Sequence, residues 1–184
     1  WFLHINFWDP HTPYDHPESY GHPFADEPIE DWITQELLDK QNASFGPHSA
    51  AEVPGWTGQL EDEWLWGRGA IKTLDDAKAH MDAYDTGIHY ADHYVGKLIA
   101  DLKSLGIYED TAIIVSADHG ENQGELNVWG DHQTADQPTN HLPLIVRWPG
   151  VTDEQAGTTR DAMHYNLDLT ATITELVGGE QPVT

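Results

Sequence analysis

The sequence contains no cysteine among its 184 residues. Disulfide bridges, thiolate metal sites and cysteine nucleophiles are therefore excluded. Nor does it contain an apolar run of about eighteen residues, so no segment predicts a transmembrane helix. No charged-then-apolar signal segment precedes the first apolar stretch, which starts at Trp1 itself. We interpret this start as a cut and expect the chain to be a piece of a longer protein.

Positive charge is scarce: 8 Lys and Arg oppose 32 Asp and Glu, which gives a formal net charge of −24. The acidic residues are spread through the chain, unlike an acidic tail. A field of this sign repels nucleic acid and anionic membranes, so we expect neither as a partner. One explanation is a surface adapted to high salt, where ions screen the self-repulsion. An ordinary acidic protein is the alternative; we favour the first, which would place the protein in the cytoplasm of a salt-adapted organism.

The hydrophobic content is that of a globular protein, with 39% hydrophobic residues and 8 Trp. The length predicts a single domain over residues 1–184. Residues from about 17 to 72 follow no clear period and are rich in Pro, Gly and acidic side chains. We expect an irregular insertion there, whose Trp56, Trp64 and Trp66 pack as core in preference to forming a carbohydrate platform.

Apolar patterns predict the regular elements. Residues 1–8 are aromatic and branched, which is typical of a buried strand. Apolar residues between 75 and 105 recur every three or four positions, as on one face of a long helix. Residues 111–116 and 142–148 are almost wholly apolar, which is typical of strands buried on both faces of a parallel sheet. With a last helix over 168–177, the order predicts an α/β fold with a mixed, largely parallel sheet flanked by helices.

Polar residues follow two of the predicted strands. Asp9-Pro10-His11-Thr12-Pro13 comes after the first strand, and Asp118-His119-Gly120 follows the strand over 111–116. In open α/β sheets, ligands bind beyond the carboxyl ends of the strands. Carboxylate oxygens suit hard cations such as Ca²⁺ or Mg²⁺, and an imidazole can complete the shell. The residues alone leave open a simple turn, with Asp118 capping backbone amides and His119 exposed.

Several motifs in a fixed order resemble the C-terminal half of the sulfatase catalytic domain, in the alkaline phosphatase superfamily. Asp9 to Tyr14 is similar to the substrate-histidine loop of that family. Further similarity lies in Tyr84-Asp85 with Val95 to Leu98, in TAIIVSADHGE (111–121), in PLIVRWPG (143–150) and in NLDLTAT (166–172). The resemblance covers most of the chain apart from about residues 17–72.

The resemblance implies an alkaline-phosphatase-like sheet between helices and hydrolysis of a small-molecule or carbohydrate sulfate ester. It also implies one divalent cation, usually Ca²⁺, with Mg²⁺ or Mn²⁺ as alternatives. By this match Asp118 and His119 would be metal ligands, and His11 would hydrogen-bond the sulfate and protonate the leaving alkoxide. Family members usually carry a Lys after a Trp-Gly pair; here Asp131-His132 follows that pair, so His132 is the candidate replacement.

Two features of the family are missing from the sequence: a strand ending in two aspartates, and a Cys- or Ser-x-Pro-x-Arg motif whose first residue becomes formylglycine. Without that hydrated aldehyde there is no covalent acceptor for the sulfate. We therefore expect a fragment of a sulfuric ester hydrolase that is inactive by itself. The alternatives are a phosphonate or phosphodiester hydrolase of the same superfamily, and a non-catalytic module that binds calcium or a sulfated glycan.

Overall fold

The computed structural model describes residues 1–14, 16–44, 46–53 and 70–180. The chain divides into two compact units. The first comprises Trp1–Glu109 with His119–Leu142, and the second Asp110–Asp118 with Pro143–Thr184. A single domain over residues 1–184 stays a prediction beside this division. No helix of the described residues combines the length and the apolar character that crossing a membrane requires.

The first unit is built on a long helix, α2, which spans Leu74–Ser104. The side chain of Thr73 accepts a hydrogen bond from the amide of Asp76, and the carboxylate of Asp76 accepts one from the amide of Thr73. This reciprocal cap satisfies amides that a helix start leaves unpaired. After the helix, Gly106 adopts a φ of 71°, in the left-handed region that closes many helices. The prediction of a helix over 75–105 is confirmed.

Much of the core of this unit comes from the segment predicted to be an irregular insertion. Helix α1 spans Gln35–Asn42 within it. The buried core cluster consists of Ile33, Leu38, Ala50, Val53, Ile71, Ala77 and Trp129. The indole nitrogen of Trp129 donates to the side-chain oxygen of Gln41 at 3.0 Å, so the buried ring has its polar atom paired. The predicted tryptophans Trp56, Trp64 and Trp66 lie outside the described residues.

Short elements complete the first unit. Strand β2, Asn122–Gln123, pairs antiparallel with β3, Trp129–Asp131, and helix α3 spans Gln137–Asn140.

The second unit contains β1, Ile113–Ser116, which precedes β2 in the chain, and β4, Leu144–Arg147. These two strands pair antiparallel. The last helix, α4, spans Asn166–Leu176 and was predicted over 168–177.

The predicted largely parallel sheet is wrong for the residues that the structure describes. They contain two sheets of two antiparallel strands each. Residues 1–8 form no strand, and Trp1 is 81% exposed. Ile145 in β4 is 62% exposed, so its side chain lies outside the core of the described residues. An apolar run shows that a segment suits burial, but it does not encode the direction of the neighbouring strand.

Candidate active site

His11 lies in a loop that rests on α2. A Cβ atom added to Gly87 of α2 would lie 3.0 Å from the Cβ of Pro10, so the loop and the helix backbone are in close contact. The Nδ1 of His11 is 2.7 Å from the carbonyl oxygen of Thr12. Because a carbonyl oxygen only accepts, Nδ1 carries the proton of this bond. Nε2 is therefore the nitrogen of His11 that can exchange a proton with a ligand.

Three partly buried imidazoles from separate segments of the chain lie together, and we call His11, His119 and His132 the histidine cluster. The rings of His119 and His132 stack with their centroids 3.6 Å apart and an interplanar angle of 24°. The ring of His11 meets that of His132 edge-on at 6.1 Å. The indole of Trp8 stacks on His11 at 4.2 Å. The fold thus gathers three imidazoles at one place in a strongly acidic chain.

A buried carboxylate fixes the ring of His132. Its Nδ1 is 3.2 Å from one side-chain oxygen of Glu121. The hydroxyl of Tyr14 donates to the other oxygen of Glu121 at 3.2 Å, and the side-chain amide of Gln123 donates to the Tyr14 hydroxyl at 2.9 Å. Glu121 therefore joins the loop that carries His11 to the segment that carries His132. Because both of its oxygens have partners, it holds the His132 imidazole in one orientation.

Burial governs the electrostatics around this carboxylate. It raises the pKa of Glu121, while the hydrogen bond with His132 acts in the opposite direction. Burial and the charge of Glu121 together raise the pKa of Tyr14 well above its usual value, so Tyr14 is a neutral donor. The same two causes raise the pKa of Tyr84 to about 12.

The two predicted metal ligands differ in exposure, since His119 is partly buried and Asp118 is exposed. The Nδ1 of His119 is 2.9 Å from the carbonyl oxygen of Gly120 and must donate to it, which leaves Nε2 as the nitrogen able to bind a metal. Asp118 is exposed and ends the first segment of the second unit. Within the described residues, no group of three or more His, Cys, Asp or Glu side chains is placed to hold a metal ion. A carboxylate and an imidazole fit a hard cation only as a partial set of ligands.

The position after His119 has room only for glycine. Its amide donates to the carbonyl of Thr139 at 2.8 Å, and a Cβ atom there would collide with the carbonyl oxygen of Pro138. The Asp-His-Gly turn therefore packs its backbone against α3. Any side chain at this position would push the turn, and His119 with it, away from α3.

Sequence reasoning did not assign Tyr14, Glu121 or His80 to the site. The ring of His80 is fully buried on α2 and meets Tyr14 at 5.0 Å and Trp129 at 5.7 Å. Burial lowers the pKa of His80 to about 4, so it is neutral at neutral pH. The helical period carried a signal for it, because His80 lies three residues after Ala77 on the same buried face.

Comparisons with known proteins agree with the motifs. The family model described as Sulfatase matches residues 1–179. Choline-sulfatase of Rhizobium meliloti (strain 1021) is 27% identical over 179 residues, which are 97% of this chain and 31% of that protein.

Two solved structures are also similar. The phosphonate monoester hydrolase of Silicibacter pomeroyi superposes with a TM-score of 0.69 at 29% identity, covering 94% of this chain and 33% of the other. That of Agrobacterium radiobacter gives 0.68 at 25% identity, with 97% and 35% covered. The chain thus spans about a third of the length of these relatives. With the family model matched over nearly its whole length, this chain belongs to the sulfatase family, within the alkaline phosphatase superfamily.

Proposed function

We propose that this chain supplies the anion-binding part of the active site of a metal-dependent sulfuric ester hydrolase. The observation that carries the proposal is the convergence of His11, His119 and His132. A protein with a formal charge of −24 repels a sulfate ester at long range. It can bind one only where hydrogen-bond donors and positive charge are concentrated locally. His11 and His132 provide donors when they are protonated, and a cation held by His119 would add positive charge.

His11 is the proposed general acid. With Nδ1 held by the carbonyl of Thr12, a protonated His11 presents its Nε2 proton to the oxygen that leaves with the alcohol. General acid catalysis of this kind typically contributes about 10²–10⁴-fold. Trp8, stacked on the ring, restricts the directions in which Nε2 can point.

His132 is the proposed second donor to the anion. Glu121 accepts from its Nδ1, which orients the ring before a ligand arrives. A donor fixed in advance stabilises developing negative charge without reorganising during the reaction. The buried carboxylate also provides the counter-charge that a protonated imidazole needs in this position.

Asp118 and His119 are proposed ligands of one divalent cation, Ca²⁺ in the first place and Mg²⁺ or Mn²⁺ otherwise. When bound, such an ion supplies Lewis acidity toward the oxygens of the ester. The proposal comes from the sequence motif, and it is supported by the contact of the His119 Nδ1 with the carbonyl of Gly120, which leaves the lone pair of a neutral ring on Nε2. The proposed substrate is a small-molecule or carbohydrate sulfate ester.

Replacing His11 by Ala tests the acid role in a longer form of the protein that also supplies the nucleophile, since we expect this chain to be inactive by itself. Turnover of a series of aryl sulfates should fall most, by about 10²-fold or more, for the esters with the poorest leaving groups, since these depend most on protonation. His4→Ala is the matched control, because His4 is exposed and lies outside the histidine cluster. An equal loss across the series would contradict the acid role. A parallel titration with inorganic sulfate, followed through the imidazole resonances, should perturb His11 and His132 but not His4.

Hydrolysis of phosphonate monoesters is the second candidate function. It is favoured by the similarity to two solved phosphonate monoester hydrolases. The same donors would meet a phosphonate ester, which is also anionic and tetrahedral. Values of kcat/KM on matched aryl sulfates and aryl phosphonates decide between the two, and a higher value for the phosphonates would replace the first proposal.

A further inference from the structure

We propose that His48 is a positioning residue for His132 and acts on it through Asp131. The role of His132 toward an anion rests on the proposed function, whereas the contacts from His48 to Asp131 and from Asp131 to His132 do not. His48 and His132 are far apart in the sequence, and His48 lies outside the motifs that resemble the sulfatase family.

The link consists of two contacts to one carboxylate. The Nδ1 of His48 is 3.0 Å from one side-chain oxygen of Asp131. The other oxygen of Asp131 accepts from the backbone amide of His132 at 2.6 Å. The side chains of His48 and Asp131 are only 14% and 10% exposed. Both oxygens of a nearly buried carboxylate are thereby engaged, one toward His48 and one toward the residue that would meet the anion.

The surroundings of His48 assign its protons. Its Nε2 is 3.4 Å from the side-chain amide of Gln133, which can only donate to it. With Nε2 accepting, Nδ1 carries the proton. It lies 3.0 Å from Asp131, which is close enough for an electrostatic contact, but it is not aligned as a hydrogen bond.

A second contact ties His48 to the same strand. Its carbonyl oxygen accepts from the amide of Trp129 at 2.8 Å. Trp129 begins β3 and is fully buried, so this bond anchors the backbone of His48 to a rigid point. From that anchor the imidazole reaches Asp131 at the end of β3. Asp131 and Glu121 then hold His132 from two sides, by its backbone amide and by its ring.

The conformation of His48 supplies a matched pair of variants. Its φ is 59°, in the left-handed region, which glycine and asparagine tolerate better than other residues. His48→Gly and His48→Asn are therefore both compatible with the backbone. Only asparagine retains a side-chain N–H that can reach Asp131, so the pair separates the contact from the conformation.

The measurement is the amide hydrogen exchange of His132 in the ¹⁵N-labelled protein. In His48→Gly, this oxygen of Asp131 keeps only the longer contact with the side-chain amide of Gln133, at 3.4 Å. Asp131 should then turn toward water, so exchange at His132 should accelerate by about tenfold, the equivalent of one hydrogen bond. In His48→Asn it should stay within about twofold of the wild type. The amide of Trp129 is the internal control, because its acceptor is the backbone of residue 48 in every variant.

Unchanged exchange at His132 in His48→Gly would overturn the proposal. Equal acceleration at Trp129 and His132, without recovery in His48→Asn, would also overturn it, since His48 would then only hold the fold together. If His48→Gly does not fold, His48→Asp takes its place, because aspartate also tolerates the left-handed region but repels Asp131, and exchange at His132 should again accelerate. A His132→Ala variant with full sulfate ester hydrolysis would remove the proposed function and leave this result intact.

Discussion

His80 is an imidazole enclosed between the rings of Tyr14 and Trp129. Neither of its ring nitrogens makes a well-aligned hydrogen bond among the described residues, although the side chain of Gln123 lies close enough to raise its pKa slightly against the effect of burial. Such a group is tolerated while it is neutral, because the larger penalty arises only when a charge is buried. Its protonation is therefore coupled to unfolding of the first unit.

We expect His80 to destabilise the protein in acid. Its folded pKa is about 4 against 6.5 for an ordinary histidine, so the unfolded chain takes up the proton first as the pH falls. The stability that depends on neutral His80 is complete above about pH 6.5 and is lost as the pH approaches 4, a change of about 3 kcal/mol. Urea unfolding of the wild type and of His80→Phe at pH 7 and pH 4 measures it.

The phenylalanine variant is the control for all other titrating groups, which both proteins share. Its free energy of unfolding should fall less between the two pH values than that of the wild type. Equal falls would show that His80 does not resist protonation in the folded state.

Single residues were predicted from sequence where a motif marks their chemistry. His11, His119 and His132 came from three motifs, and the structure brings them together; their roles remain predictions. Tyr14 and Glu121 were not assigned, because their importance lies in a contact between them and not in a local pattern. Asp118 belongs to the other unit, and its role as a ligand stays a prediction.

At the scale of elements, α2 sets the position of the loop that carries His11. Gly87 is buried beneath Pro10, whereas Gly96 on the same helix has open space where a Cβ would lie. Alanine at either position gains helix propensity. Only alanine at 87 must also displace Pro10.

We expect Gly96→Ala to raise the free energy of unfolding by up to about 1 kcal/mol. The free energy of unfolding of Gly87→Ala should be lower than that of Gly96→Ala by about 1–3 kcal/mol, because the added methyl group overpacks the contact with Pro10. Thermal unfolding of the two variants measures the difference. Equal stabilities would mean that the loop yields freely and is not positioned by the helix.

The elements themselves were predictable to different degrees. The helices α2 and α4 follow from their period and from the glycines after them, because both signals are local. The direction of strand pairing does not follow from such local signals. β1 and β4 pair antiparallel although they are distant in the sequence, and neither strand alone specifies its partner. The first unit's core was also missed, because Ile33 and Val53 stand in segments without a period.

For the whole molecule, charge is the dominant property. With 32 acidic and 8 basic residues, self-repulsion opposes the compact state at low ionic strength. Screening shortens the reach of each charge from about 10 Å at 0.1 M salt to about 3 Å at 1 M. A salt-adapted surface should respond strongly to this change.

We expect the Tm to rise by several degrees, on the order of 5–10 °C, as KCl is raised from 0.1 to about 1 M, because screening removes the repulsion. Differential scanning fluorimetry in a KCl series measures it, with sucrose at matched osmolality as the control for effects of solute exclusion. A flat Tm across the series would favour the ordinary acidic protein.

The hydrogen bond between Tyr14 and Glu121 joins residues 107 positions apart. Closing a chain loop of that length is slow compared with forming α2, whose contacts are local. During synthesis, the loop that carries His11 leaves the ribosome long before its partners exist. The helix can form early on a nascent chain, but the histidine cluster can assemble only after residue 132 has emerged from the ribosome.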